Sequence, residues 1–295
     1  VYKRQVMILS IPVTTCPGLF YSTPAQDGFL YRLRIPGGII NYQQFQAIAD
    51  IADNYAGGYI DITNRANIQI REIKQDINIE VLKNLQALGL ASTNAKTDHI
   101  RNIMTSPTAG IDTEELIATQ PLVKAWEDHI RANSQLSELS AKFSVCFDGR
   151  GKVSVSDRPN DIILVAESIN SNIYLRLYLN YGEKGEPCQD TGIVLKPEKT
   201  IQVLAALAET YLKHIDTKNP RKPRLREIIN KITIDKYLQQ IQQNLNPDIF
   251  NFLPTPLRAA APLQEKTHIG IHCQRQIGLY YIGIVLPLGR LETWQ

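Results

Sequence analysis

The chain has 295 residues, of which 43% are hydrophobic and 21% charged, enough apolar material for about two packed domains. The formal net charge is only +3, so any functional basicity must be local, and a nucleic-acid-binding protein is not indicated. No apolar run approaches the ~20 residues that a membrane-spanning helix needs. Composition therefore predicts a cytoplasmic protein with no membrane partner.

The cysteines of this chain are widely separated and form no CxxC pair. They are Cys16, Cys146, Cys188 and Cys273. Zinc and iron–sulfur sites are normally built on closely spaced cysteines, and disulfide frameworks are typical of short secreted chains. We therefore predict reduced thiols and no metal site formed by this chain.

Residues 1–95 are patterned as one folding unit. Residues 28–35 alternate as a strand and are followed by the turn sequence Pro36-Gly37-Gly38. Asn41 and Gln44 have the spacing of a helix-capping box, and the predicted helix ends at Gly57-Gly58. Strands at 59–63 and 68–72 and a helix at 79–88 complete the pattern. This order predicts an α+β fold, with a ferredoxin-like half-domain at the start of the chain.

Residues 96–246 are predicted to form a mixed α/β domain. Asp112 and Glu115 indicate a helix start, with Pro121 kinking the helix that follows. Predicted strands cover 142–147, 153–156, 162–166 and 173–179, and predicted helices cover 197–214, 221–232 and 235–244.

Residues 247–295 are predicted to hold a proline-rich linker and the start of a second ferredoxin-like half. Gln26-Asp27-Gly28-Phe29 is matched by Gln276-Ile277-Gly278-Leu279, and Pro36-Gly37-Gly38-Ile39 by Pro287-Leu288-Gly289-Arg290 if one insertion is allowed. We interpret this as a repeat that makes the protein pseudo-two-fold, with chance similarity as the alternative. Half a unit would leave a strand's apolar face uncovered, so we expect the natural protein to continue beyond Gln295.

The polar strip at residues 61–71 is the first candidate site. If this stretch is extended, Arg65, Asn67, Gln69 and Arg71 share one face. Guanidinium and amide donors in a row suit the binding of carboxylates or oxyanions. The solvated face of an ordinary half-buried sheet is the alternative interpretation.

Two further cations stand near predicted strands. Arg101 lies in a polar loop, and Lys142 opens a strand in which Lys142, Ser144 and Cys146 alternate with apolar residues. By pattern alone both are surface charges. The basic run between Lys218 and Lys231 is interpreted as the solvated face of a helix.

Four motifs together carry a family resemblance. Cys16-Pro17-Gly18-Leu19 and Gln26-Asp27-Gly28-Phe29-Leu30 resemble the opening of precorrin-3B synthases. Thr63-Asn64-Arg65-Ala66-Asn67-Ile68-Gln69-Ile70-Arg71 resembles the arginine motif of siroheme sulfite and nitrite reductases. Arg101-Asn102 with Ser106-Pro107-Thr108-Ala109-Gly110, and Ala141-Lys142-Phe143-Ser144, resemble the next two motifs of the same superfamily.

This resemblance implies a precorrin-3B synthase-like oxidoreductase that hydroxylates a tetrapyrrole in cobalamin biosynthesis. It implies that Arg65, Arg101 and Lys142 bind tetrapyrrole carboxylates, supported by Gln69 and Arg71, and it leaves the catalytic residues unassigned. A 4Fe-4S cluster is implied for the intact protein, with its ligands in a C-terminal half that this chain lacks.

Two alternatives stay open. One is a sulfite or nitrite reductase that uses siroheme and a donor such as ferredoxin, and the other is a non-catalytic tetrapyrrole-binding module. Sulfite reductases typically have a second Lys where this chain has Ser144, and often an Arg where it has Ala141. The loss of these charges favours a relative that acts on the tetrapyrrole itself over one that reduces a small oxyanion.

Overall fold

The structure is a computed structural model that describes residues 18–74, 77–246, 249–253 and 268–294. Cys16 and most of the predicted proline-rich linker lie outside these residues. The helices are α1 (Tyr42–Tyr55), α2 (Ile79–Ala87), α3 (Gln120–Ala132), α4 (Thr200–Lys213), α5 (Leu225–Ile232) and α6 (Ile234–Gln243). The strands are β1 (Thr23–Ala25), β2 (Gly28–Leu33), β3 (Tyr59–Ile62), β4 (Ile68–Ile73), β5 (Ile103–Thr105), β6 (Val145–Asp148), β7 (Ile162–Ile169), β8 (Asn172–Leu179), β9 (Gln189–Leu195), β10 (Asn251–Phe252), β11 (Gly270–Cys273), β12 (Tyr280–Gly283) and β13 (Arg290–Glu292).

The chain forms two compact units. The first consists of Val1–Ile35, Ile40–His99 and Leu286–Gln295, and the second of Pro36–Ile39 and Ile100–Val285. Each unit has its own hydrophobic core.

The first unit is an antiparallel sheet with two helices on one face. The strand order is β1-β2-β4-β3-β13, and helix residues Ile48, Ile51 and Leu85 pack into the core with the strands. The predicted capping box is confirmed: Asn41 Oδ1 accepts from Gln44 N, and Gln44 Oε1 accepts from Asn41 N, both at 2.9 Å. The predicted α+β ferredoxin-like fold is therefore confirmed for this part of the chain.

The second unit is a mixed sheet in the order β10-β9-β8-β7-β6-β5. Strands β5, β6 and β7 are parallel neighbours, whereas β7, β8, β9 and β10 pair antiparallel. Apolar residues of α3, α4, α5 and α6 form one core with alternate residues of the strands. The opposite face carries a smaller cluster that includes Met104, Cys146 and Ile163. Both faces of the central strands are buried, which is typical of parallel pairing.

The helix predicted to start near Asp112 is shorter than expected. It begins at Gln120, with Pro121 in its first turn. Backbone N–H groups in the first turn have no acceptor within the helix, so a proline there removes no hydrogen bond. The prediction of a kink at Pro121 is therefore wrong. Asp112 and Glu115 bind loop backbone instead: Asp112 accepts from the N–H groups of Glu114 and Lys152, and Glu115 accepts from that of Gly110.

The prediction of a strand at residues 153–156 is also wrong. A buried carboxylate accepts hydrogen bonds from backbone N–H groups of this segment. Asp148, at the end of β6, accepts from the N–H groups of Val155 at 2.8 Å and Ser156 at 2.9 Å. It also accepts from Arg150 N and Ser154 Oγ. This loop is thus held by one side chain rather than by a neighbouring strand.

The turns that follow the two predicted repeat copies have the same local conformation. Strands β1 and β2 form an antiparallel hairpin, as do β11 and β12. Each is followed by a short 3-10 turn, Pro36–Gly38 and Pro287–Gly289. The second and third residues of both turns have positive φ, 74° and 70° in the first and 55° and 71° in the second. These matching conformations support the repeat.

We expect Asp148→Asn to lower the free energy of unfolding by about 1.5 to 3 kcal/mol, since an amide cannot accept from all four donors. Urea denaturation measures this loss. Asp157→Asn, at an exposed carboxylate of the same loop, is the matched control and should change stability little. Equal losses in the two variants would contradict the role given to Asp148.

We also expect Cys273 to react with iodoacetamide well before Cys146 or Cys188. Cys273 is exposed and Cys146 is buried, while burial raises the pKa of the Cys188 thiol to about 12. Only the thiolate is a good nucleophile, so Cys188 should stay largely unreactive near neutral pH. Peptide mapping by mass spectrometry follows each thiol, and alkylation of Cys188 as fast as Cys273 would show the expectation to be wrong.

Candidate functional site

The chemistry-bearing residues of the second unit collect where three parallel strands begin. Strand β5 pairs with β6 in the register Ile103 to Val145, and β6 pairs with β7 in the register Val145 to Ile162. The residues that immediately precede the strands therefore lie side by side. We call residues 101–102, 142–144 and 160–161 the strand-entry edge.

Arg101 is fixed within this edge by a carboxylate of α3. Its side chain is only 3% exposed. The Nε atom donates to Glu127 Oε1 at 2.8 Å, and Nη2 lies 2.6 Å from the same oxygen. Removing a cation from water is costly unless it is paired, so Glu127 both compensates the charge and sets the direction of the guanidinium.

Lys142 lies on a turn rather than on a strand. Asn102 Nδ2 donates to the carbonyl of Ala141 at 2.8 Å, and Phe143 N donates to Ser140 O at 2.8 Å. Lys142 itself is exposed. These bonds hold the backbone of the turn, while the ammonium group remains in water.

The predicted alternation of faces is confirmed, but the predicted strand start at Lys142 is wrong. Phe143, Val145 and Phe147 belong to one core cluster, and Cys146 belongs to the cluster on the opposite face. Strand β6 begins only at Val145, and Ser144 and Cys146 are as buried as the apolar residues between them. The alternation therefore separates two buried faces and not a buried face from a solvated one.

Asp161 is the buried carboxylate of the edge. Its Oδ2 accepts from Ser144 N at 3.1 Å and from Ser144 Oγ at 3.2 Å. Its Oδ1 accepts from Arg224 Nη2 at 2.8 Å and from Arg224 Nε at 3.3 Å. Burial raises the pKa of the Asp161 carboxyl, and Arg224 opposes that shift. Sequence pattern alone assigns Arg224 to a solvated helix face, and this assignment is wrong.

The first unit carries the other predicted donors. Gln69 and Arg71 lie in β4 on the face opposite buried Ile68 and Ile70, which agrees with the predicted alternation. Arg71 pairs with Asp27, with Nε 2.9 Å from Oδ2. The side-chain hydrogen bond from Arg71 holds the pKa of the Asp27 carboxyl below its usual range.

Arg65 does not belong to a continuous strip with these residues. Strand β3 ends at Ile62 and β4 begins at Ile68, so Arg65 lies in the intervening turn, half-buried. Asn67 is buried and accepts from Ile35 N through Oδ1 at 3.1 Å. The prediction that Arg65 and Asn67 share one extended face with Gln69 and Arg71 is therefore wrong.

Three arginines of the first unit are absent from the predicted site. Arg32 lies opposite Gln69 in the β2–β4 register, and Arg34 is 1% exposed with Nη1 4.0 Å from Asp98 Oδ2. Arg290 lies 3.6 Å above the ring of Tyr59 and 3.1 Å from Asp61 Oδ1. The signal for the first two is visible in the sequence, where charged residues alternate with apolar ones in a predicted strand.

Metal ligands are a separate question. Among the residues that the structure describes, no group of three His, Cys, Asp or Glu side chains converges as an ion site. An iron–sulfur cluster therefore has no fitting ligand set in this part of the chain. Within the same residues, no helix has the length and hydropathy needed to cross a membrane. What the site offers is guanidinium, ammonium and amide groups for an anionic ligand.

Comparison with known proteins identifies the family of the chain. Residues 23–88 match the nitrite/sulfite reductase ferredoxin-like half domain, and residues 96–248 match the nitrite and sulphite reductase 4Fe-4S domain. The chain is 31% identical to the ferredoxin–nitrite reductase of Leptolyngbya laminosa over 93% of its own length and 55% of that protein. It is 29% identical to that of Synechococcus elongatus, again over 55% of the relative.

The chain thus spans about half the length of the curated relatives that it matches. Its fold is similar to that of the NirA protein of Mycobacterium tuberculosis, with a TM-score of 0.72 and 18% identity over 90% of this chain and 48% of that one. One family model covers more than half of the chain. The chain therefore belongs to the nitrite and sulphite reductase family.

Proposed function

We propose that this chain supplies the cationic part of the siroheme and nitrite site of a ferredoxin-dependent nitrite reductase. The observation that carries the proposal is the strand-entry edge, where Arg101 and Lys142 precede adjacent parallel strands. The names of the relatives support this function over the macrocycle hydroxylation that the resemblance to precorrin-3B synthases implies. Ferredoxin is the proposed electron donor for the same reason.

The donors of the edge fit the acetate and propionate groups of a uroporphyrin-derived ring. A guanidinium that is already fixed by Glu127 loses little conformational freedom when a carboxylate binds to it. The exposed ammonium of Lys142 can follow a second carboxylate or an oxyanion. When bound, siroheme would supply the iron at which nitrite is reduced.

The first unit offers a separate set of donors, Arg65, Gln69 and Arg71, which we also propose for carboxylate binding. Their place in the sequence motif and their half-buried side chains support this assignment. No step is assigned to an iron–sulfur cluster, since the described residues supply no ligands for it.

Ser144 stands where sulfite reductases typically have a second Lys. Its buried position changes how that difference is interpreted. Its hydroxyl is bonded to Asp161 and is not available to a ligand. The same carboxylate holds Arg224, so the edge keeps a cation close to this position. The absence of a second Lys therefore does not argue against an oxyanion substrate as strongly as the sequence alone suggests.

The function is tested with the natural protein that contains this chain, purified and supplied with siroheme. We expect absorption bands of bound siroheme and nitrite-dependent oxidation of reduced ferredoxin. Conversion of precorrin-3A in the presence of dioxygen, without nitrite reduction, would instead establish the precorrin-3B synthase activity. Siroheme binding without either activity would favour the non-catalytic module.

We expect Lys142→Gln to weaken the binding of uroporphyrin, a polycarboxylate porphyrin, by about tenfold, because one charged hydrogen-bond donor is lost. Fluorescence titration of the 295-residue chain measures the affinity. Lys124→Gln is the matched control, since Lys124 lies exposed on α3 in a pair with Asp128. If both variants lose affinity equally, the effect is only one of net charge, and Lys142 is not a binding residue.

A further inference from the structure

Arg224 is held rigidly at the start of α5. Its N–H donates to Glu227 Oε2 at 3.0 Å, and the preceding carbonyl, that of Pro223, accepts from Tyr211 Oη at 2.7 Å. One residue further back, Lys222 pairs with Glu138. The backbone that carries the Arg224 side chain is therefore anchored on both sides.

Only one edge of the Arg224 guanidinium is used within the protein. Nε and Nη2 both donate to Asp161 Oδ1, and no other side-chain partner of Arg224 is found among the described residues. A guanidinium has five N–H donors in a fixed plane, so more than half of its donors remain available. The Arg224 side chain is 27% exposed, whereas that of Asp161 is 1% exposed. The free donors therefore face solvent.

Asp161 fixes this guanidinium on the strand-entry edge. The carboxylate immediately precedes β7 and is bonded to Ser144, which immediately precedes β6. Arg101 precedes β5. Adjacent strands are about 4.8 Å apart, so the backbone at Arg101, at Ser144 and at Asp161, which binds Arg224, lies along the starts of three neighbouring strands. Lys142 is two residues before Ser144.

We propose that Arg224 is a third anion-binding residue of the strand-entry edge, which takes a carboxylate of the ligand next to the one taken by Lys142. The identity of that ligand as a tetrapyrrole rests on the proposed function. Asp161 acts as the positioning residue, since it neutralises one edge of the guanidinium and orients the other. Arginine suits this double role because its fork binds partners on two sides, which a lysine ammonium does not reproduce.

A purely structural ion pair is the competing explanation, and Arg224→Lys separates the two. A lysine keeps the positive charge beside Asp161 but loses the second edge of the fork. A structural role predicts that this variant binds ligand as the wild type does. The proposal predicts an affinity for uroporphyrin about tenfold weaker, with a thermal midpoint close to that of the wild type.

The test titrates the 295-residue chain and its variants with two probes, uroporphyrin and mellitate, a compact polycarboxylate without a tetrapyrrole ring. Arg226→Lys, which makes the same charge-conserving exchange at a neighbouring arginine of α5, is the matched control and should bind both probes normally. If Arg224→Lys fails to fold, the paired variant Asp161→Asn with Arg224→Gln replaces it, because a neutral pair leaves no buried charge.

The outcomes separate this inference from the proposed function. Uroporphyrin binding that is weakened by Lys142→Gln and unaffected by Arg224→Lys would overturn the role of Arg224 and leave the proposed function standing. If wild-type chain binds mellitate but no uroporphyrin, and Arg224→Lys weakens mellitate binding, the anion site stands and the tetrapyrrole assignment fails. If neither probe binds, the inference is wrong.

Discussion

The parallel register of β5, β6 and β7 is the constraint on which the candidate site depends. It aligns the starts of three strands that are far apart in sequence. Because the strands are buried on both faces, their register cannot slip without exposing core residues on one side. The backbone positions that carry these cations are therefore held at fixed spacing, which would suit the recognition of a rigid polycarboxylate.

Carboxylates set the geometry of these cations. Glu127 directs Arg101, and Asp161 directs Arg224 while it also binds the backbone of Ser144. Such pairs contribute little net stability, since desolvation offsets much of the attraction. Their value lies in orientation, because each carboxylate fixes the direction of the guanidinium that it binds. Asp27 and Asp61 have the same relation to Arg71 and Arg290 in the first unit.

The sequence predicts the first unit better than the second because the first is built from local signals. The capping box at Asn41 and the alternation of β4 act within a few residues and are found as predicted. In the second unit, Asp112 binds the backbone of Lys152, 40 residues away, and Asp148 binds the backbone of the loop that follows β6. No local pattern distinguishes such a carboxylate from a helix cap or a surface charge. Asp161 and Arg224 are 63 residues apart, so their contact cannot be seen without the fold.

The central claim is that the strand-entry edge binds the peripheral carboxylate groups of a tetrapyrrole. A crystal structure of the natural protein that contains this chain, with its tetrapyrrole bound, tests it most directly. The account predicts carboxylate oxygens of the ring at about 3 Å from the guanidinium of Arg101 and the ammonium of Lys142. A ring whose carboxylates contact other residues, and neither Arg101 nor Lys142, would contradict it.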